Sequence, residues 1–237
     1  MVTSKVDDVF TQKRNLELLR DYKEESASER TYDTLVAETF KQRRKFIQSE
    51  ATSSSEILEL CPYLGRSENV RKEAKRIISD FCFKKCVERL SEGMKNVLKN
   101  KEINNQNVVS AVRHIEKKIA KKGSTVLKFK DPSTKPDLLF KDKIVEFRLV
   151  CLGAPNEINQ VFVAGEEKCF FETTQNLVEA LIDLLLAYYV FDVNYADAMA
   201  GIFYFLQEVS LGINDDIPKS VKYCSFMAEF RSGVHTV

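Results

Sequence analysis

Apolar residues recur at three- and four-residue intervals along most of this chain and at two-residue intervals along only one stretch. Tyr32, Leu35, Val36, Phe40 and then Phe46 and Ile47 keep helical spacing, with Lys41, Arg43, Arg44 and Lys45 between them. Ser53 followed three residues later by Glu56 is a capping box and predicts the start of a second helix. That helix is short, because Pro62 cannot continue it, and Gly65 closes the turn. From about Glu68 to Lys99, with Ser67 as its cap, Val70, Ala74, Ile77, Ile78, Phe81, Cys82, Leu90, Met94, Val97 and Leu98 form one stripe. This predicts a single long helix. Asn104 to Lys122 is predicted as another, built on Val108, Val109, Val112, Ile115 and Ile119. Gly123 stands at its end, and Lys117, Lys118, Lys121 and Lys122 suit the negative end of its dipole.

The pattern then changes. Asp131-Pro132 to Lys135-Pro136 reads as a linker. Over Ile144–Leu152 the period is two, with Val145, Phe147, Leu149 and Cys151 alternating with Glu146 and Arg148, which predicts a half-buried strand. Gln160–Ala164 and Lys168–Glu172 flank Gly165-Glu166-Glu167 and read as a hairpin. Three helices follow. The first is capped by Thr173 or Thr174, runs to about Val190 and is apolar nearly all round, so it is central. The second runs from Tyr195 to Leu211, after a break at Asp192–Asn194, and ends at Gly212. The third starts near Pro218 and reaches Phe230. The expected fold is α+β and mainly α: a helical N-terminal part, and a C-terminal part with a small antiparallel sheet and three helices. The expected organisation is a peripheral or flexible segment over 1–27, a helical part over 28–123 and an α+β part over 124–237.

Charge sharpens this division. The net charge of +1 conceals an excess of nine positive charges over residues 1–150 and of eight negative charges over 151–237. Cys169–Pro218 holds no Lys or Arg, whereas Arg66–Lys143 holds 21 basic and 10 acidic side chains. Two readings follow. The halves dock on each other, or the basic middle meets an acidic partner or nucleic acid.

The apolar tail is not read as a membrane span. Its uninterrupted run is Leu184–Phe191, and Asp183, Asp192, Asn194 and Asp197 fall within any window of about 20 residues over it. A central Asp costs about 2.5–3.5 kcal/mol on insertion. The start at Met1 shows no basic region followed by an apolar stretch, which reads as no signal peptide. The expectation is an intracellular protein, in cytoplasm or nucleus, with the six cysteines reduced.

Candidate chemistry is sparse. Cys82 and Cys86 share a helix face at i, i+4. A zinc site needs two further ligands, and the histidines are only His114 and His235, so both thiols are expected to be buried core. His114, beside Arg113 and Glu116 on a Lys-rich helix, reads as a solvated histidine, with no nucleophile or orienting carboxylate marked around it. Asp183, Asp192 and Asp197 are read as caps and turns rather than metal ligands. No phosphate-cradling glycine loop and no G-x-S-x-G elbow occurs. No catalytic, cofactor or metal residue is therefore assigned. Arg113, Lys117, Lys118, Lys121, Lys122, Lys128 and Lys130 are the candidate nucleic-acid contacts. The alternative is that they form a solvated face.

Two stretches carry a family resemblance. Phe40-Lys-Gln-Arg-Arg-Lys-Phe-Ile47 followed by Ser55-Glu-Ile-Leu-Glu-Leu-Cys-Pro-Tyr-Leu64 is the first. Leu185-Leu-Ala-Tyr-Tyr-Val-Phe191 with Asn194-Tyr195, then Phe203–Leu211, is the second. Together they resemble uncharacterised animal proteins, abundant in fish, named as similar to sterile alpha motif domain-containing protein 3, over about residues 38–230 and outside the sterile alpha motif itself. Asp192 and Ala196 stand where that group more often has Asn and Pro. The resemblance implies a fold and an absence of known catalytic residues, not a mechanism. The functional expectation is a non-enzymatic module that binds an unknown protein partner. The alternative is a nucleic-acid-associated protein, accessory to mobile-element biology, that uses the basic 113–130 face.

Overall fold

The structure is a computed structural model that describes residues 29–49, 53–99, 102–135, 146–166, 168–214 and 220–233. The chain forms two compact units, Met1–Gly65 and Arg66–Val237. It is α+β and mainly α. The segment over 1–27 expected to be peripheral or flexible, Pro136, Ile144, Val145, Glu167, Pro218 and His235 lie outside the described residues.

In the first unit, α1 (Glu29–Glu38) and α2 (Phe40–Ser49) are followed by α3 (Ser54–Leu60) and a 3-10 turn over Pro62–Gly65. Ser53 caps α3 as expected, its hydroxyl accepting from the Glu56 amide at 3.2 Å. Arg43 is fully buried. Its Nη1 donates to the Val36 carbonyl at 2.7 Å and to the Thr39 hydroxyl, and its guanidinium faces the rings of Phe40 and Tyr63. A charge removed from water in this way needs its donors satisfied, and here a backbone carbonyl, a hydroxyl and two π faces take part.

The second unit starts with α4 (Ser67–Ile77), α5 (Phe83–Leu98) and α6 (Asn105–Ile119). The single helix expected over 68–99 is therefore two. Asp80 takes a left-handed conformation (φ 55°) within the Ser79–Cys82 break, which short polar residues tolerate. Both pieces can then pack on one later helix, whereas a straight rod would lead away from it. Ser67 is the first helical residue rather than the cap, which falls on Arg66. Cys82 takes the N-cap position of α5 and is exposed, against the buried expectation, while Cys86 is buried one turn on. Asn104 caps α6 by accepting from the Asn107 amide at 2.9 Å. That helix stops at Ile119, so Gly123 belongs to the turn after it.

The sheet has the order β1 (Leu127–Lys130), β2 (Arg148–Ala154), β3 (Glu157–Gly165), β4 (Lys168–Thr173). The expected hairpin is β3–β4, and β2 pairs antiparallel with β3 across a turn at Pro155-Asn156. The additional strand, β1, runs parallel to β2 and makes the sheet mixed. It seals the second edge of β2. Leu149, Val150, Cys151 and Leu152, which point to both faces, are all buried, so the half-buried expectation for this strand is corrected. Alternation and register place Phe147, Leu149, Cys151, Val161 and Val163 on one face with Leu127 and Phe129. Val150, Leu152, Phe162 and Ala164, with Cys169 against them, share the opposite face with Lys128 and Lys130.

Helix α7 (Leu177–Val190) lies across the first face and is the centre of the unit. It packs on α4, α5, α6, β2 and β3, and of its residues only Glu179 and Tyr189 are not buried. Asn176, rather than Thr173 or Thr174, caps it, accepting from the Val178 and Glu179 amides. Phe147 meets Phe170, Tyr188 and Phe191 at ring-centroid distances of 4.6, 4.9 and 6.1 Å. Asp192 follows in a left-handed turn, as expected. Asp183 is neither cap nor turn. It sits mid-helix with no exposed surface, takes two 2.7 Å bonds from Arg71 of α4 and accepts from the Thr173 hydroxyl of β4. Arg71 also lies 3.7 Å from the Phe83 ring centroid. One carboxylate thus ties α4, α7 and β4 together.

The second C-terminal helix is shorter than expected. Tyr195–Met199 are irregular, α8 spans Ala200–Leu206, and a π turn over Gln207–Leu211 ends at Gly212 with φ 74°. The last helix, α9, spans Val221–Ser232 and is capped by Ser220.

Candidate cationic interface

The α6 sequence alternates two stripes. Val108, Val109, Ala111, Val112 and Ile115 are buried, and the helix packs through them among α5, α7, α8 and α9. Gln106, Ser110, Arg113 and Lys117 form the opposite, exposed stripe. Lys121 and Lys122 extend it into the turn that follows, where the Lys121 amide donates to the Ala198 carbonyl at 2.9 Å. Arg113, Lys117, Lys121 and Lys122 are exposed and make no ion pair among the described residues. Lys118 is the exception, at 3.2 Å from Glu229 of α9. Both partners are about one-third exposed, so this bond contributes at most about 1 kcal/mol.

The stretch 113–130 contains one acid, Glu116, and the fold engages it at the start of β1 while Arg113 still acts on it. Its Oε1 accepts from the Val126 amide at 2.8 Å and from the Thr125 hydroxyl at 2.9 Å, fixing the entry to β1. Burial pushes its carboxyl above the usual range, against the pull of those two bonds and of Arg113. The folded state therefore holds the proton more tightly than the unfolded one. Stability falls as pH rises from the ordinary carboxylate range through the raised value. A single oxygen accepts both bonds, so Glu116→Gln keeps them. We expect it to retain most of the stability while losing this part of the pH slope. Glu116→Ala should lose about 1–3 kcal/mol. Urea unfolding at several pH values reads both outcomes. An E116A midpoint equal to wild type would deny Glu116 this role.

The seven basic residues singled out in the sequence are not brought to one face. Arg113, Lys117, Lys118, Lys121 and Lys122 belong to α6 and its turn, in the layer of helices. Lys128 and Lys130 alternate with Phe129 on β1 and point to the sheet face turned away from α7. Both are half-buried and engaged in interactions. The apolar–basic alternation of Leu127-Lys-Phe-Lys130 was the signal for this strand, and with it for the split.

Other candidate groups have structural roles. His114 is half-buried with an interaction partner rather than solvated. Burial raises the Cys86 thiol and pushes those of Cys151 and Cys169 up to about 12, which leaves little thiolate for chemistry near neutral pH. Among the described residues, no group of three His, Cys, Asp or Glu side chains converges as a metal site would require. No described helix is long and apolar enough to cross a membrane. Comparison of the chain with protein-family models, with curated proteins and with solved structures gives no match.

Proposed function

We propose that this chain is a non-enzymatic intracellular interaction module, and that the surface it presents to a partner is the cationic one on α6 and the turn after it. The supporting observation is a separation of signs. Arg113, Lys117, Lys121 and Lys122 stand in solvent with no ion pair among the described residues, while the one nearby acid is spent on holding β1. Cations that form no ion pair keep most of their field for an outside anion. The likeness to proteins similar to sterile alpha motif domain-containing protein 3 belongs to the same proposal, because it brings no known catalytic residues with it. The partner of first choice is an acidic protein surface.

The second reading is nucleic acid, in keeping with an accessory role in mobile-element biology. It is favoured by Arg113 and Lys117, one turn apart on the exposed stripe of α6, with Lys121 and Lys122 exposed in the turn that follows, a cluster that suits phosphates. Salt titration separates the two. A duplex or single-stranded oligonucleotide that neutralises several phosphates loses affinity by orders of magnitude between about 50 and 200 mM salt. The triple variant K117E/K121E/K122E abolishes that binding. If no oligonucleotide binds at low salt, the nucleic-acid reading ends. If no protein partner is recovered whose capture depends on these lysines, the interaction-module reading ends with it.

A further inference from the structure

A second surface, formed by α5, the π turn and α9, has the form of a docking groove. It is a shallow cleft of about 360 Å³ between α5, the π turn and α9. Gly93, Val209, Met227 and Phe230 supply its apolar part. The π turn is what shapes it. Such turns are uncommon and concentrate at functional sites. This one is admitted by Gly93, where an added Cβ would lie 2.6 Å from Val209 Cγ1. Val209 is thereby seated directly on α5 and remains half-exposed at the cleft.

The cleft is lined by two bases and two acids that are not all paired with one another. Glu208 accepts from both Arg231 and the Tyr223 hydroxyl, so that acid and that base are matched. Glu92 lies 3.4 Å from Lys95. Arg89 is exposed, makes no ion pair among the described residues, and reaches across to the end of the π turn. A Cβ on Gly212 would lie 3.3 Å from its Nη1. The cleft is left with an apolar floor and, at its side, the Arg89 guanidinium, which makes no ion pair among the described residues. A guanidinium recognises a carboxylate through paired donors.

We propose that this groove docks a short segment of a partner protein in which an apolar side chain stands next to a carboxylate. The apolar group covers Val209 and Phe230, and the carboxylate meets Arg89. This goes beyond the cationic-cluster reading and does not depend on it.

The test titrates the isotope-labelled full chain with two pools of capped hexapeptides. One has Glu flanking a Leu-Phe pair, and the other has Lys in place of Glu. The proposal expects the acidic pool to shift the amides of Gly93, Val209 and Gly212. It expects R89E to weaken binding about tenfold or more, as loss of a charged anchor does, and V209A to weaken it less. Arg89 is exposed and Val209 partly so, and circular dichroism confirms that the variants fold. K117E/K121E/K122E leaves the shifts in place. The proposal is overturned by equal binding of the Lys pool, by shifts absent from the groove, by R89E binding like wild type, or by loss of the shifts in the α6 variant. The last outcome would assign the peptide to the cationic cluster instead.

Discussion

Arg71→Met destabilises the Arg66–Val237 unit by about 3–5 kcal/mol, the cost of leaving a buried charge without its partner. Asp183 has no exposed surface, and its two bonds from Arg71 carry most of the compensation for its burial. The Thr173 hydroxyl alone cannot replace them. The reciprocal change, Asp183→Asn, costs less. Arg71 is about one-quarter exposed and stacks on Phe83, so it still reaches water and a π face when the carboxylate is gone. The pH response gives a second readout. Burial drives the Asp183 carboxyl upward, and Arg71 and Thr173 oppose it. With Arg71 removed the acid protonates more readily, so the penalty of R71M shrinks as pH falls. Chemical unfolding of both variants across acidic pH decides the matter. Equal penalties for R71M and D183N, or a penalty for R71M that does not change with pH, would show that the carboxylate is not the stressed partner.

Phe147→Ala carries a similar cost, about 3–5 kcal/mol, for a different reason. Its ring fills the space between the start of β2 and α7, against Phe170, Tyr188 and Phe191, and it is 2% exposed. Rigid strands and a crowded α7 leave the walls of the resulting cavity little freedom to collapse. Gly165 provides an independent check. A Cβ there would lie 2.5 Å from Phe147 Cδ1, so Gly165→Ala is destabilising in the wild-type core. In the F147A background much of that clash disappears. The remainder is a 3.1 Å approach to Phe170. The double-mutant cycle therefore shows favourable coupling. Additive effects of the two substitutions would mean that the ring does not occupy the space under Gly165.

How much of this was legible beforehand depends on the range of the interactions involved. Ser53 as a cap, the break at Pro62, the β3–β4 hairpin and the apolar-all-round character of α7 each follow from residues a few positions apart. The errors arose where distant residues decide. The stripe over 68–99 predicts one helix because its spacing tolerates a break. The break is worth making because α4 and α5 both pack on α7. Cys82 kept its place in the stripe but lost its burial when the helix was cut in front of it. The cationic site divided for the same reason. A list of lysines over 113–130 does not say that β1 pairs with β2 and turns Lys128 and Lys130 to the other side of the sheet.

The sequence alone determined the class of the fold, the order of most elements and the opposite charges of the two halves, because periodicity, capping and composition act over a few residues. Only the tertiary structure decided which polar groups are spent inside and which remain for a partner. Asp183 went to Arg71 across 112 residues, and Glu116 went to the entry of β1. Arg89 was left beside an apolar cleft that exists because a glycine in α5 meets a π turn more than a hundred residues later. A side chain's availability is set by the neighbours that folding brings to it, and those neighbours are not encoded in its local pattern.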